Sequence, residues 1–272
     1  MSLEESTLEF DETFAGILED INDQIPTLIR RSEYRQTVRS LLSLAAAAGA
    51  IKLAINDLAG SGHIYGTSIL LRSLIEHYLR FQFVWFRWIR HQSDEPGEEY
   101  VRFSNLSEAL EYGEALRLSG ILKGYDVHDK DMLELMKERD STLADLSKNQ
   151  IQKMTTQWRY RSIIRYVCSM GEKEGQPKLP FLSSLIPVYA ELSSYTHGGE
   201  TAQREAAKLM HEDRAEDVAW EQASWGCVLS NSMHSQLLMT LSATKGSSVA
   251  DALGKMKVCL QEFLDDSKVA LG

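Results

Sequence analysis

The stretch ILLRSLIEHYLRF, residues 69–81, decides how the chain is interpreted, because it places charged side chains inside an apolar helical run. Arg72 and Glu76 are four residues apart, so helical geometry puts them about 40° apart on one face with apolar neighbours. Charges on such a face are costly to bury alone, so we expect the two side chains to pair with each other or with a partner helix. They form either an ion pair that holds the helix in place or part of a functional site.

The chain on both sides of this stretch has a helical pattern. Runs of Ala, Leu, Glu, Arg and Met favour helix, and only five prolines interrupt the 272 residues. We predict helices near residues 6–24, 28–59, 66–92, 97–118, 129–147, 149–170, 181–197, 200–210, 213–243 and 247–270. The expected fold is all-α, a bundle of about eight to ten helices in one domain over residues 1–272. The Gly- and Pro-rich segment 171–180 is the candidate subdomain break, although ten residues can equally form a loop.

Composition favours a soluble cytoplasmic protein without a membrane partner. The net charge of −10 argues against attraction of the whole surface to nucleic acid or anionic membrane, although local patches can override the sum. Three widely separated cysteines form no disulfide framework, which is typical of a reducing compartment. The most apolar stretch, residues 41–55, is too short for a membrane span, and Lys52 interrupts it.

The sequence predicts no metal and no bound cofactor. The segment HEDRAED, residues 211–217, has the residue types of a metal site. A helical zinc site would need a second histidine at the right spacing, and there is none. No glycine-rich phosphate loop follows a predicted strand, so a nucleotide cofactor of that kind is not expected either.

A second polar motif is YAELSSYTHGG, residues 189–199. Tyr189, Ser193 and His197 are spaced by four, so we expect them along one helical face, and the two glycines should end the helix. A histidine at a helix C-terminus is favoured in its protonated form by up to ~2 kcal/mol. The three residues are either a functional set or a set that packs and caps the helix.

The letters RSLIEH, residues 72–77, resemble the ribonuclease motif of the HEPN superfamily, a group of helical bundles common in prokaryotic toxins and defence systems. That motif places an arginine four to six residues before a histidine and often has a polar residue after the arginine, where this chain has Ser73. The pair of patterns R-x-x-x-E and Y-x-x-L-S-x-x-x-H-G also resembles a family of uncharacterised bacterial helical proteins that looks related to the HEPN group. This resemblance covers about residues 40–240 and implies a HEPN-like core.

The resemblance implies a polar cluster between two facing helices and a function for it. Its residues would be Arg72, Glu76, Tyr189, Ser193 and His197. The implied function is that of a metal-independent ribonuclease or RNA-binding effector, a toxin or phage-defence component. The alternative is a non-catalytic helical interaction module that partners an effector encoded elsewhere, such as a toxin with its antitoxin. HEPN-like proteins commonly share a site across a two-fold axis, so a homodimer is expected.

Each polar residue then has an expected role in RNA cleavage. His77 and His197 are the candidates for proton transfer, and Arg72 would stabilise the charged phosphate in the transition state. Glu76 would orient Arg72. The remaining hydroxyl groups, those of Tyr189 and Ser193, would position a phosphate or a histidine.

Two basic segments could contact a phosphate backbone. Residues 152–166 contain Arg159 and Arg161 with no acidic residue among them, so we expect both arginines to bind substrate. Arg80 and Arg87 form the second basic segment. Either segment could instead be a solvated face or a set of salt-bridge donors.

An aromatic stripe lies close to these arginines. Tyr78, Phe81, Trp85 and Trp88 follow a spacing of three, four and three, so they share one face of the predicted helix 66–92. Aromatic residues at helical spacing usually belong to the core, which is the interpretation we prefer. If the stripe were exposed, it would support the homodimer.

Overall fold

The computed structural model describes residues 1–123, 137, 144–171, 180–245 and 248–266, and this part of the chain contains helices and no strand. The α-helices are α1 Leu3–Glu19, α2 Ile25–Arg31, α3 Arg35–Ala59, α4 Ile64–His91, α5 Glu95–Leu122, α6 Lys148–Gln157, α7 Tyr160–Gly171, α8 Pro180–Thr196, α9 Glu200–His211, α10 Ala215–Ser242 and α11 Ala250–Asp266. A short 3-10 turn, Asn22–Gln24, lies between α1 and α2. The prediction of an all-α fold is confirmed.

The expected count of eight to ten helices is too low for the described residues, which contain eleven α-helices. Two predicted helices are each split. Ser32 has an extended backbone (φ −63°, ψ 138°) and ends α2 before α3 begins. Trp158 ends α6, and α7 begins two residues later. Neither break contains glycine or proline, so the sequence pattern did not reveal it. The predicted helix 129–147 lies mostly outside the described residues, as do residues 172–179 of the candidate break.

Helices α3, α4 and α10 form the centre of the described bundle, where they pack on one another more extensively than any other three helices. Small residues permit this close packing. A Cβ atom added to Gly226 of α10 would lie 3.4 Å from the Ile55 side chain of α3. One added to Gly49 of α3 would lie 3.7 Å from His234 of α10. The alanine-rich run of α3 is therefore core sequence, with Ala45 among its fully buried residues.

The start of α3 is capped by the residue that precedes α5. Tyr34 precedes α3 and offers no side-chain hydrogen bond to it. The Asp94 carboxylate accepts hydrogen bonds from the backbone nitrogens of Gln36, at 2.9 Å, and Thr37, at 2.6 Å. Capping satisfies N–H groups that an α-helix leaves free at its N-terminus. The loop before α5 thus fixes where α3 begins.

A buried ion pair connects the first helix to the centre of the bundle. The Lys52 ammonium of α3 contacts the Asp11 carboxylate of α1, and both side chains are almost fully buried. Asn231 of α10 donates a second hydrogen bond to the same carboxylate oxygen, at 3.2 Å. Nearby, Nδ1 of His234 lies 2.9 Å from the carbonyl oxygen of Ser230. The buried contacts of the Asp11 carboxylate with Lys52 and Asn231 therefore connect α1 to α3 and α10.

Helix α3 is the one described helix that is long and apolar enough to cross a membrane by length and composition. Within its most apolar window, 44% of the residues are buried inside the protein. The core helix of a soluble protein passes the same test, so the finding is weak evidence for a span.

The aromatic stripe of α4 belongs to the core. Tyr78, Phe81, Trp85 and Trp88 are all buried, with at most 8% of each residue exposed. The preferred interpretation of the stripe is therefore confirmed. Because the protein covers these rings itself, they provide no surface for a second copy, and the homodimer rests on the resemblance alone.

Candidate functional site

Arg72 of α4 is bound by three side chains where α4 faces α8. Its Nη2 atom lies 3.1 Å from Oε1 of Glu76, one helical turn further along α4. The same nitrogen donates to the Tyr189 hydroxyl at 3.1 Å, and Nε donates to Oγ of Ser193 at 3.3 Å. The expected contacts between Arg72 and Glu76, and between this pair and the second motif, are confirmed.

Tyr189 connects the two charged groups of this cluster. Its hydroxyl accepts a hydrogen bond from Arg72 and donates one to Oε1 of Glu76 at 2.7 Å. Its ring lies 5.0 Å from the Arg72 guanidinium carbon and stacks on Tyr160 of α7, with centroids 3.7 Å apart. Burial, followed by the hydrogen bond to Glu76, raises the pKa of Tyr189 to about 12. The hydroxyl therefore keeps its proton at neutral pH and remains a donor.

Ser193 completes the cluster. Its hydroxyl donates to the Tyr189 carbonyl oxygen at 2.9 Å, which leaves its oxygen lone pairs to accept from Arg72. Glu76 keeps 30% of its side chain exposed, and Arg72 keeps 17%. The cluster is thus half-buried at the boundary between the core and solvent, and protein partners occupy most of the Arg72 guanidinium.

His77 lies on α4 next to this cluster and makes no hydrogen bond to it. Its Nδ1 atom lies 2.8 Å from the Ser73 carbonyl oxygen. A carbonyl oxygen can only accept, so Nδ1 carries the proton and Nε2 is the acceptor nitrogen of the neutral ring. No described residue hydrogen-bonds to Nε2, and the side chain is half-buried. In the neutral ring, Nε2 therefore keeps a lone pair that no described residue uses.

The expectation that His197 joins the cluster is wrong for the described structure. Helix α8 ends at Thr196, and the chain turns at Gly198, where φ is +64°. His197 lies in that turn, is exposed and has no hydrogen bond to Arg72 or Glu76. His197, four residues after Ser193, therefore lies one residue beyond the end of the helix.

A cleft of ≈ 270 Å³ adjoins the cluster on the far side of Glu76. It opens between α4, α5 and the junction of α6 with α7. Its lining includes Glu76, Leu79, Arg80, Phe103, Arg159 and Tyr160. Arg159, which we expect to bind substrate, is one of the residues that line the cleft. Arg161 is exposed and does not line the cleft.

Sequence reasoning did not assign Arg80 and Tyr160 to the site. Arg72, Glu76 and Arg80 are spaced by four, so a continuous polar stripe on α4 was the available signal. Arg80 makes no hydrogen bond or ion pair with any described residue. Arg87 differs, because it pairs with Glu99 at 2.7 Å and acts as a salt-bridge donor.

Tyr160 has a hydroxyl that is buried and has no hydrogen-bond partner among the described residues. Burial raises its pKa, and the neighbouring Tyr189 and Glu76 raise it further. Tyr160 is also the first residue of α7, so the partial positive charge of that helix N-terminus lies at the cleft. Arg80 and Arg159 in the cleft wall make no ion pair with a described residue, so the cleft is suited to an anion.

No group of three His, Cys, Asp or Glu side chains among the described residues could hold a metal ion. The three cysteines are free.

The fold and this site define an all-helical protein with an arginine–glutamate–tyrosine cluster between two helices and a cationic cleft beside it. The chain belongs to DUF5677, a family of unknown function whose model matches residues 39–214. That range includes both the Arg72–Glu76 pattern and the motif that begins at Tyr189. A comparison with curated proteins found no match, and neither did a comparison with solved structures.

Proposed function

We propose that the protein is an RNA-binding effector of the HEPN-like kind that cleaves RNA without a metal ion. The observation that carries the proposal is the position of Arg80, three residues after His77 on the partly exposed face of α4 and in the wall of the cleft. Helical residues three apart are neighbours. Arg80 has no ion pair with a described residue, and no described residue binds Nε2 of His77, so the two groups can approach the same phosphodiester, although His77 itself does not line the cleft.

In the proposed reaction, the 2′-hydroxyl of the RNA attacks the adjacent phosphorus atom. Nε2 of His77 takes the hydroxyl proton as the new bond between O2′ and phosphorus forms. Arg80 stabilises the negative charge that develops on the phosphate oxygens. The bond from phosphorus to O5′ breaks, O5′ takes a proton from water, and the imidazolium of His77 gives its proton to the resulting hydroxide. The products carry a 2′,3′-cyclic phosphate and a free 5′-hydroxyl.

This assignment changes the role that the sequence suggested for Arg72. Three protein partners already bind Arg72, so it is a positioning residue that holds α4 against α8. Glu76, Tyr189 and Ser193 share that role. The charge-stabilising role passes to Arg80, and Arg159 contacts the backbone of the strand from the other side of the cleft.

Cleavage of single-stranded RNA in the presence of a chelator tests the proposal. The wild-type protein should cut RNA and leave DNA of the same sequence intact, because DNA lacks the 2′-hydroxyl. His77→Ala should lower the rate by about 10²- to 10⁴-fold, the usual contribution of proton transfer. His197→Ala is the matched control, since that histidine is exposed and separate from the cluster. Loss of activity in His197→Ala with full activity in His77→Ala would contradict the assignment.

A second function is favoured by the three protein partners of Arg72. If the cluster only joins α4 to α8, the protein is a non-catalytic interaction module whose partner is an effector or antitoxin encoded elsewhere. Toxin and phage-defence systems use such pairs. Co-purification from the native host separates the two functions: a bound RNA supports the first, and a stoichiometric protein partner without RNA supports the second.

The proposal includes a single domain with a HEPN-like core that works as a homodimer in the cytoplasm. The resemblance of RSLIEH to the ribonuclease motif supports the dimer, because HEPN-like sites are commonly shared between two copies. Light scattering at several concentrations measures the mass directly. A monomer at the highest concentration would contradict the dimer.

A further inference from the structure

We infer that the cleft between α4, α5 and the α6–α7 junction binds one unpaired nucleotide of RNA, with its phosphate between Arg80 and Arg159 and its base on the apolar floor. This inference rests on the proposed function and names the subsite that holds the strand. It also assigns a ligand to residues that the reaction itself does not use, Tyr160 and Phe103 among them.

The charges around the cleft favour an anion. Arg80 and Arg159 both line it, and neither makes an ion pair with a described residue. The one carboxylate in its wall, Glu76, is already neutralised by Arg72 at 3.1 Å. The N-terminus of α7 adds partial positive charge at the same place. A phosphate that enters the cleft therefore meets two free guanidinium groups, which bind phosphate through charge-assisted hydrogen bonds.

The floor of the cleft is apolar and rigid. Leu79, Phe103 and Ile163 contribute to it, and each of them is buried. Phe103 is fixed by stacking on Trp158, with ring centroids 5.0 Å apart and an angle of 11° between the planes. An apolar floor of this kind suits a nucleobase, which proteins commonly hold against aromatic and apolar side chains.

The size of the cleft limits what can enter. A volume of ≈ 270 Å³ is slightly below the range of about 300–1,000 Å³ that is usual for ligand pockets. A single nucleotide is a group of suitable size, whereas a folded protein segment is not. In duplex RNA the bases are stacked and paired, so only an unpaired nucleotide can place its base on the floor.

Tyr160 links the cleft to the cluster. Tyr160 lines the cleft, and its hydroxyl is buried within the wall with no hydrogen-bond partner among the described residues. Its ring stacks on Tyr189, whose hydroxyl is held by Arg72 and Glu76. The cluster therefore helps to fix the position of a residue in the cleft wall.

Titration calorimetry with adenosine 5′-monophosphate and with adenosine tests the inference, together with the binding of a labelled single-stranded RNA pentamer. The double variant Arg80→Gln/Arg159→Gln should weaken the binding of the monophosphate and of the RNA by about tenfold or more, and it should change adenosine binding little. Arg165→Gln is the control, because Arg165 is an exposed arginine of α7 that does not line the cleft. Thermal melting confirms that each variant is folded, and Arg80→Lys should restore part of the affinity.

The outcomes separate this inference from the proposed function. RNA binding that is equal in the wild-type protein and the double variant overturns the cleft as a subsite while the RNA function stands. Failure of the wild-type protein to bind any RNA overturns the proposed function, and the one-nucleotide assignment with it. Binding of duplex RNA as tightly as single-stranded RNA overturns the claim that the nucleotide is unpaired.

Discussion

Gly97 lies so close to Thr37 that a Cβ atom added to the glycine would be 2.1 Å from the Thr37 backbone nitrogen. The first turn of α5 thus touches the first turn of α3, backbone against backbone. Ser40 donates to the Gly97 carbonyl oxygen at 3.2 Å, which adds a hydrogen bond to the junction. Any side chain at position 97 would force the two helices apart.

Gly97→Ala should therefore destabilise the protein by more than about 3 kcal/mol, because backbone rather than a flexible side chain must move. Gly254→Ala is the matched control. Gly254 lies within α11 and has no atom within 4 Å of an added Cβ, so the higher helix propensity of alanine should stabilise the protein by up to about 1 kcal/mol. Urea denaturation of both variants measures the difference. Equal stability would show that α5 is not docked on α3 as described.

Lys52→Met should destabilise the protein by about 3–5 kcal/mol, because it leaves the buried Asp11 carboxylate without its cation. The double variant Asp11→Leu/Lys52→Met removes both charges and should lose less stability than Lys52→Met alone. Denaturation curves of the single and double variants form a double-mutant cycle. Additive losses would mean that the two residues do not interact in solution.

Acid should destabilise the protein through His234. Burial lowers the pKa of this imidazole below its ordinary value, and the nearby Lys52 lowers it further, while the Ser230 carbonyl and Asp11 act in the opposite direction. The unfolded chain, whose histidine pKa is about 6.5, therefore binds more protons than the folded chain below that pH. The stability that neutral His234 contributes is fully present above pH ~6.5, and it is lost as pH falls towards the lower pKa of His234 in the folded protein.

The measurement is the free energy of unfolding at several pH values between about 7.5 and 5, on either side of the histidine pKa. The free energy of unfolding should rise with pH more steeply in the wild-type protein than in His234→Gln, by up to about 1.4 kcal/mol per pH unit in this window. His211→Gln, at an exposed position, controls for histidine loss in general. Identical slopes in the wild-type protein and His234→Gln would show that His234 is not protected from protonation.

Tyr189→Phe should cost about 1–2 kcal/mol of stability, because it removes the hydroxyl that bridges Arg72 and Glu76 but keeps the ring that stacks on Tyr160. Tyr166→Phe is the control. The Tyr166 hydroxyl is buried without a partner among the described residues, so its removal should be neutral or slightly stabilising. Thermal melting of the two variants gives the comparison. A larger loss for Tyr166→Phe would contradict the described hydrogen bonds.

The parts of the site that the sequence could predict are those set by helical spacing. Arg72 with Glu76, and Tyr189 with Ser193, are each four residues apart, and an α-helix places such pairs on one face wherever it lies. The need to compensate buried charge then predicted that the two pairs meet. Local geometry and the cost of burial were sufficient for this much of the cluster.

The sequence could not predict the contacts that depend on packing between distant segments. Arg80 and Tyr160 are far apart in the chain and come together because α7 packs on α4. The partner of Lys52 lies 41 residues earlier in the sequence. The prediction that His197 joins the cluster was wrong for a local reason, because α8 ends one residue before it. Periodicity indicates which face a residue occupies but not which helix covers that face.

The Asp11–Lys52 pair shows that the residues matched by the family model are fewer than the residues that pack together in the fold. The family match begins at residue 39 and ends at residue 214, so it contains Lys52 but excludes its partner Asp11 and also Asn231, which donates to the same Asp11 carboxylate. It also excludes α10, which supplies much of the central core. A protein trimmed to the matched residues would strand a lysine in an opened interior. Expression for biochemistry should therefore retain both flanks, even though the two polar motifs lie between them.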